Sequence, residues 1–248
     1  MHYCGQIQKD LLRSAIFTLT SASDILNLRL KYQKSLFAIL YITNSYYTNK
    51  IHTDTLIKTS KGEKNMDIYF VSSNKHKISE IQTILNSTDI RIHAVSEKIN
   101  EIQSTDMEEI VINKALKAFQ KIGRPILVEQ TGLLIKDFGN LPGGLTQIFW
   151  ASLKPEKFSE IFSKIGSAEV TAKTVLAFCD GKRIHTFEGE VPGHIVYPPR
   201  GNSEFQWDCV FEPLGYNKTF AELGAQKNEI SMRKIATEKF RTYWEEHK

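Results

Sequence analysis

The sequence is poor in cysteine. Its three thiols, Cys4, Cys179 and Cys209, are odd in number and widely spaced, which excludes a disulfide framework and a cysteine-built zinc site. A reducing, cytoplasmic setting is the simplest expectation. Long apolar runs are also missing. The longest candidate, Ser35 to Ile42, falls far short of the roughly 18 residues a spanning helix needs, and it lies too deep for a secretion signal. No membrane partner is expected. There is no glycine-rich Walker loop. Charge of one sign is scarce over most of the chain. Overall, 32 Lys and Arg face 28 Asp and Glu, and residues 1–65 hold nine of the former and only four of the latter. The basic excess therefore belongs to the front of the chain, and no nucleic-acid groove is expected in the rest.

What is present is an ordinary globular composition, 41% hydrophobic and 24% charged over 248 residues, with no internal repeat. Two segments differ in character. Residues 1–65 are rich in Ser, Thr, Asn, Tyr and Lys; Leu11 to Leu40 has spacing for one or two helices, and Tyr46 to Asn65 reads as a polar linker. Met66 stands directly before Asp-Ile-Tyr-Phe-Val, a clear first strand. Two alternatives follow: Met66 is the natural start and residues 1–65 are upstream read-through, or they are a genuine extension that docks a partner.

From Met66 the pattern alternates. Ile68–Val71 reads as a buried strand and Lys77–Leu85 as a helix, followed by a helix over Met107–Phe119 with Ile110, Ala115, Ala118 and Phe119 on one side. Pro125–Val128 is a strand, Thr131 to Ile135 continues extended, and Leu141-Pro-Gly-Gly is a turn. A short helix is expected over Lys157–Ile165. Val170–Phe178, Arg183–Val191 and His194–Val196 read as strands of a meander, with Asp180-Gly181 as the hairpin turn between the first two. A helix over Ile230–Trp244 closes the chain. Alternation followed by consecutive strands indicates an α/β fold with a mixed sheet.

Five segments carry polar chemistry. Ser72-Ser73-Asn74-Lys75-His76-Lys77 links the first strand to the first helix, where free backbone N–H groups and lysines suit a polyphosphate. Glu80, Glu101 and Glu129 are acids of the kind that hold Mg²⁺ beside phosphates, although spacing does not group them. Glu129-Gln130-Thr131-Gly132-Leu133 ends a strand, where ligands bind in open α/β sheets. Phe205-Gln206-Trp207-Asp208 follows a Pro198-Pro199-Arg200-Gly201 loop and suits a purine sandwiched by aromatics beside an acid. Lys227-Asn228 and Ser231-Met232-Arg233 bring cations and a hydroxyl to the last helix. His76 reads as solvent-facing, Cys179 and Cys209 as packed core residues, and Phe149 and Trp150 as core or interface.

In this order the segments resemble the inosine triphosphate pyrophosphatase family, which removes non-canonical purine nucleotides. The matching motifs are Ser72-Ser73-Asn74-Lys75-His76-Lys77 with Glu80, Glu101-Ile102-Gln103, Glu129 to Leu133, Pro142-Gly143 and Glu188-Gly189. Pro199 to Gly201, Phe205 to Cys209, Ala221-Glu222-Leu223 and Lys227 to Arg233 complete the set. They span residues 66–248. The resemblance implies a two-lobed fold with a long mixed β-sheet flanked by helices, a central nucleotide cleft, a homodimer, Mg²⁺, and hydrolysis of the α/β phosphate bridge of a hypoxanthine or xanthine triphosphate. Carried over residue by residue, it implies that Asn74, Lys77 and Lys227 hold phosphates. Ser72, Thr131 and Gly132 line the nucleotide. Glu101 and Glu129 hold the metal, and Phe205, Trp207, Asp208, Ser231 and Arg233 face the base. A 6-keto purine needs hydrogen-bond donors at O6, where adenine presents an amino group.

Three departures stand out. Gln130 occupies the place of the family's second acid, which binds metal and helps activate water; an amide carries no charge and accepts no proton near neutral pH. Met232 replaces a histidine, and Gln206 and Cys209 replace glycine and proline beside Trp207-Asp208. Two readings follow. In one, the chain binds (d)ITP- or XTP-type nucleotides with catalysis weakened or lost, and acts as a sensor read by a partner effector protein in an anti-phage or stress pathway. In the other, Glu129 or Glu101 takes over as base and the chain is an active pyrophosphatase.

Overall fold

The computed structural model describes residues 65–164, 169–203 and 206–247. The expectations for residues 1–64 and for Phe205 lie outside these. Among the described residues seven strands form one mixed sheet in the order β2-β1-β3-β5-β6-β7, with the short β4 paired to β3. β1 (Met66–Val71) runs parallel to β2 (Ile90–Val95) and to the start of β3 (Ile126–Ile135). From β3 the sheet turns antiparallel through β5 (Glu169–Cys179), β6 (Ile184–Ile195) and β7 (Phe211–Pro213).

Ile68 and Phe70 in β1 and Ile126, Leu127 and Val128 in β3 have no solvent exposure. A near-continuous apolar run of this kind needs cover on both faces of the sheet. One face is covered by α1 (Lys75–Leu85) and the closing helix α6 (Met232–His247), which share a core with Ile68, Phe70, Leu176 and Phe187. The other face is covered by α2 (Met107–Ile122), packed on Val71, Val128, Val175 and Ala177. A third cluster occupies the far halves of β3, β5 and β6. There Leu133, Ile135, Val170 and Ile195 meet Trp150, Phe158 and Phe162 of α3 (Thr146–Phe162) and Trp207, Phe211 and Phe220. The long β5–β6 hairpin thus contributes to all three clusters.

The helix termini follow local chemistry. Asn74 caps α1, its side-chain oxygen accepting from the N–H groups of His76 and Lys77 at 3.0 and 3.3 Å. Asp106 caps α2 in the same way, with Glu108 and Glu109 in the first turn and Lys121 in the last. Gly123 ends α2 at φ 65, a left-handed position that favours glycine.

Several elements differ from the sequence expectation. Ile90–Val95 forms an edge strand that the sequence reading did not single out. The two extended pieces around Glu129 are one strand, and the two pieces after Arg183 are likewise one, because both pair along their full length with β5. Leu141–Gly143 is a short strand, β4, antiparallel to β3 rather than a free turn. The helix expected from Lys157 begins at Thr146, with a kink at Lys154 (φ 62) before Pro155; proline breaks the backbone ladder and disfavours helical geometry in the residue before it. Before α6, Lys227–Ile230 forms its own turn, α5, and Phe220–Leu223 forms α4.

Candidate functional site

The site lies where β1 stops and β3 continues. The β1–β3 pairing ends at Phe70 opposite Leu127, so the next residues of β3, Glu129 to Thr131, face the loop from Ser72 to Asn74 and the start of α1. Side chains alternate along a strand, and the two faces of this stretch hold different groups.

On the face shared with α1 and α6, four charged side chains form a buried cluster. Glu129 receives Lys77 Nζ at 2.6 Å and Arg233 Nε at 2.7 Å. Arg233 also donates through Nη2 to Glu129 at 3.2 Å and through Nη1 to Glu80 at 2.5 Å. Ser231 Oγ donates to the other oxygen of Glu80 at 2.5 Å. The side chains of Arg233, Glu129 and Glu80 are only 6%, 3% and 7% exposed, so each charge depends on its partners for the solvation that water would give. Burial would raise the Glu129 carboxyl, but the charges of Arg233 and Lys77 outweigh it and hold the group well below the usual carboxylate range. The same exchange holds the Arg233 guanidinium above its usual value: burial opposes its charge, and Glu129 and Glu80 outweigh burial. The cluster requires close approach of α6 to β6. A side chain at Gly189 would put Cβ 1.9 Å from the Met232 carbonyl oxygen.

On the opposite face, the Gln130 amide donates from Nε2 to the Gly144 carbonyl at 3.2 Å. Gly132 beside it is equally constrained, since a Cβ there would lie 2.4 Å from the Gly143 oxygen. Glu101 lies close by and pairs with Lys114 Nζ at 2.6 Å, and the same ammonium donates to the Glu129 backbone carbonyl at 3.2 Å. Lys114 belongs to a row along α2. Lys117 donates to the Asn100 carbonyl at 2.6 Å, and Lys121 to Glu97 and to the Lys98 carbonyl at 2.7 and 2.9 Å. The sequence reading did not name these lysines; their spacing of three and four residues along one helix was the available signal.

A cleft of about 760 Å³ opens from the buried cluster, lined among others by Asn74, Lys77, Thr131, Asp208, Lys227 and Arg233. That is the size range of small-molecule sites. At its far end Lys227 Nζ meets Asp208 at 2.5 Å and lies 5.4 Å from the centre of the Phe220 ring. Burial raises the Asp208 carboxyl, and Lys227 opposes the rise without cancelling it. Trp207 is 2% exposed and packs edge-on against Phe211, so most of its ring belongs to the core. Met232 also lines the cleft and is buried.

The structure therefore brings Lys77, Glu80, Glu129, Ser231 and Arg233 together in one network. It sets Glu101 and Gln130 on the other side of β3, and it pairs Lys227 with Asp208 rather than with the group around Lys77. His76 is exposed at the cleft rim. Cys179 and Cys209 are buried, as expected for packed core thiols.

Magnesium is the group the resemblance implies, and the residues assigned to it do not by themselves make a site. Glu101 is taken by an ammonium, Glu129 by an ammonium and a guanidinium, and position 130 offers a neutral amide whose nitrogen is already bonded. Among the described residues, no group of three or more His, Cys, Asp or Glu is arranged to hold a metal ion. Among the described residues, no helix is long and apolar enough to cross a membrane.

A mixed sheet with helices on both faces, and a polar cleft at a strand-to-helix turn carrying lysines, defines an α/β protein with a cleft where ligands bind in folds of this kind. Sequence comparison is more specific: residues 68–243 match the Ham1 family, and the chain belongs to it. Relatives include an inosine triphosphate pyrophosphatase of Yarrowia lipolytica, 36% identical over 181 residues that cover 72% of this chain and 95% of that protein. A dITP/XTP pyrophosphatase of Hyperthermus butylicus is 32% identical over 167 residues, 67% of this chain and 88% of that one. The fold is that of a HAM1 protein from Coxiella burnetii (TM-score 0.63, 24% identity, 73% of this chain and 99% of that chain). It is also that of the Staphylococcus aureus Ham1 protein (TM-score 0.63, 22% identity, 73% and 100%). The inosine triphosphate pyrophosphatase family is thus the one to which this chain belongs.

Proposed function

We propose that this chain binds purine nucleoside triphosphates with a 6-keto base, (d)ITP or XTP, and hydrolyses them slowly or not at all. Its relatives are named for pyrophosphate release from such nucleotides, and the cleft has the right size and donors. The triphosphate meets the Asn74 loop and the Lys77 ammonium at the start of α1, where positive charge favours phosphate. The base lies toward Asp208 and Lys227, which line the cleft, with a keto oxygen accepting where adenine would present a donor.

One observation carries the slow-turnover reading: among the described residues around Glu129 and Gln130, the carboxylates Glu80, Glu101 and Glu129 are each paired with a cation. Attack of water on the α-phosphorus needs a group that accepts its proton. Gln130 accepts none, and its amide is engaged with Gly144. Glu129 is a carboxylate, but two cations hold it so acidic that it is a poor base. Loss of a positioned base slows such a step about 10²–10⁴-fold, roughly 3–5 kcal/mol of barrier.

A nucleotide that is held but not destroyed can act as a signal. On this reading the chain is a nucleotide sensor, working as a homodimer and with an effector protein that responds to the bound state. The test is pyrophosphate release from dITP by the wild type and by Gln130→Asp. A large gain in the variant is expected. Equal rates would return the chain to the ordinary pyrophosphatases, with Glu101 as the remaining candidate base. Calorimetry with dITP against dATP tests the ligand itself; equal affinity for both would remove the keto-purine assignment.

A further inference from the structure

Charged groups around Glu129 in β3 occur in equal numbers. Glu80 and Glu129 are met by Arg233 and Lys77 on one face, and Glu101 is met by Lys114 on the other. Three carboxylates face three cations, so the constellation is neutral before any ligand arrives. An acid at position 130 would make it net negative, and a triphosphate would enter against that charge. A divalent cation is the usual remedy, because it bridges phosphate oxygens to carboxylates.

Here that remedy is obstructed and also less needed. To reach Glu101 or Glu129 a magnesium ion would have to displace Lys114, or Lys77 and Arg233, each already within 2.7 Å of the carboxylate it holds. Magnesium gives up its water reluctantly and prefers oxygen ligands in a strict octahedron, whereas Gln130 contributes one neutral oxygen. The charge that the metal would supply is present as ammonium groups. Lys77 lines the cleft, and Lys114 is fixed between Glu101 and the Glu129 carbonyl. Lysine is a compact point charge well suited to phosphate oxygens.

We propose that this chain binds its nucleoside triphosphate without a divalent cation, Lys77 and Lys114 supplying the positive charge and Gln130 setting that independence. The proposal rests on the reading of the cleft as a triphosphate site. On binding, Lys77, which lines the cleft, shares its ammonium between Glu129 and the phosphates, and Lys114, outside the cleft lining beside Glu101, adds its charge from the other face of β3.

The experiment is calorimetry on the full chain with an α,β-imido analogue of dITP, which cannot be cleaved at the bridge, in excess magnesium and in EDTA. Wild type, Gln130→Asp and Lys114→Ala are compared, with circular dichroism melts to confirm folding. Wild-type affinity should agree between the two buffers within about threefold, since neither state needs the metal's charge. Gln130→Asp should lose about tenfold or more in EDTA and recover in magnesium, because one added negative charge then faces the phosphates unscreened. Lys114→Ala should weaken binding more in EDTA than in magnesium. Wild type that binds in magnesium and fails in EDTA would overturn this proposal and leave the triphosphate site standing. Wild type that binds in neither buffer would overturn the triphosphate reading and this proposal with it. If Gln130→Asp is as indifferent to EDTA as wild type, Gln130 is not the residue that sets metal independence.

Discussion

The two faces of β3 at Glu129 and Gln130 are adjacent in sequence and opposite in character. On the Glu129 face, four charges are buried together and hold one another in place; Glu129 is 3% exposed and every oxygen of Glu80 and Glu129 has a partner. On the Gln130 face, Glu101 is 35% exposed and has a lysine partner that also reaches a backbone carbonyl. The first arrangement is part of the structure, because removing one member strands the others away from water. The second is adjustable, because water and ligand can replace what is lost. A substitution that would be ruinous on one face is tolerated on the other, and the unusual residue, Gln130, lies on the tolerant face.

The sharpest way to break this contrast is Arg233→Met. It leaves Glu80 and Glu129 buried without their shared guanidinium, and breaking a buried pair from one side costs about 3–5 kcal/mol. The unfolding free energy from urea denaturation should fall by that amount, with Lys77 and Ser231 softening the loss. A midpoint unchanged within error would mean the cluster is solvated and the contrast false. Gln130→Asp should instead act on rate, raising pyrophosphate release from dITP by about 10²–10⁴-fold, while its unfolding free energy moves by no more than about 1 kcal/mol because the position is half-buried.

Acid should separate the faces next. Glu129 titrates in the unfolded chain near its ordinary 4.5 and well below that when folded. Its contribution to stability is therefore complete above the unfolded value and is lost as the pH falls toward the folded one. Asp208 has the opposite sign, since its folded carboxyl is raised and it weighs against folding as the pH climbs past its unfolded value. The Glu129 cluster should dominate, so unfolding free energy measured from about pH 6 to about pH 3 should decline, and the decline should be shallower in Arg233→Met. A parallel decline in both proteins would assign the acid sensitivity to other carboxylates. The smallest effect belongs to Lys114→Ala. Its ion pair with Glu101 is partly exposed, so chemical denaturation should detect a loss of no more than about 1 kcal/mol.

The fold was largely legible because its strands are short apolar runs bounded by turn residues and α2 has a clean 3.6-residue stripe. The edge strand Ile90–Val95 was less legible. It alternates weakly, and its place is fixed by its register against β1. The true length of β3 was hidden because Glu129, Gln130 and Thr131 look like an interruption, yet antiparallel pairing with Leu176, Val175 and Thr174 carries the strand straight through them. At the site, residue types and order were readable while partnerships were not. Glu80, Glu101 and Glu129 look alike in sequence, and the pairing of Lys227 with Asp208 is not recorded in it.

The sequence by itself determined the alternation of strands and helices, the capped loop before α1 and the neutral side chain at position 130, because propensity, capping and residue identity are local properties. The tertiary structure alone decided which carboxylates share Arg233, which one is given to Lys114, and which face of β3 each side chain occupies. Those outcomes depend on contacts between residues as far apart as Glu80 and Arg233. The strength of a charge depends on burial and on its partners across such distances, neither of which is recorded along the chain.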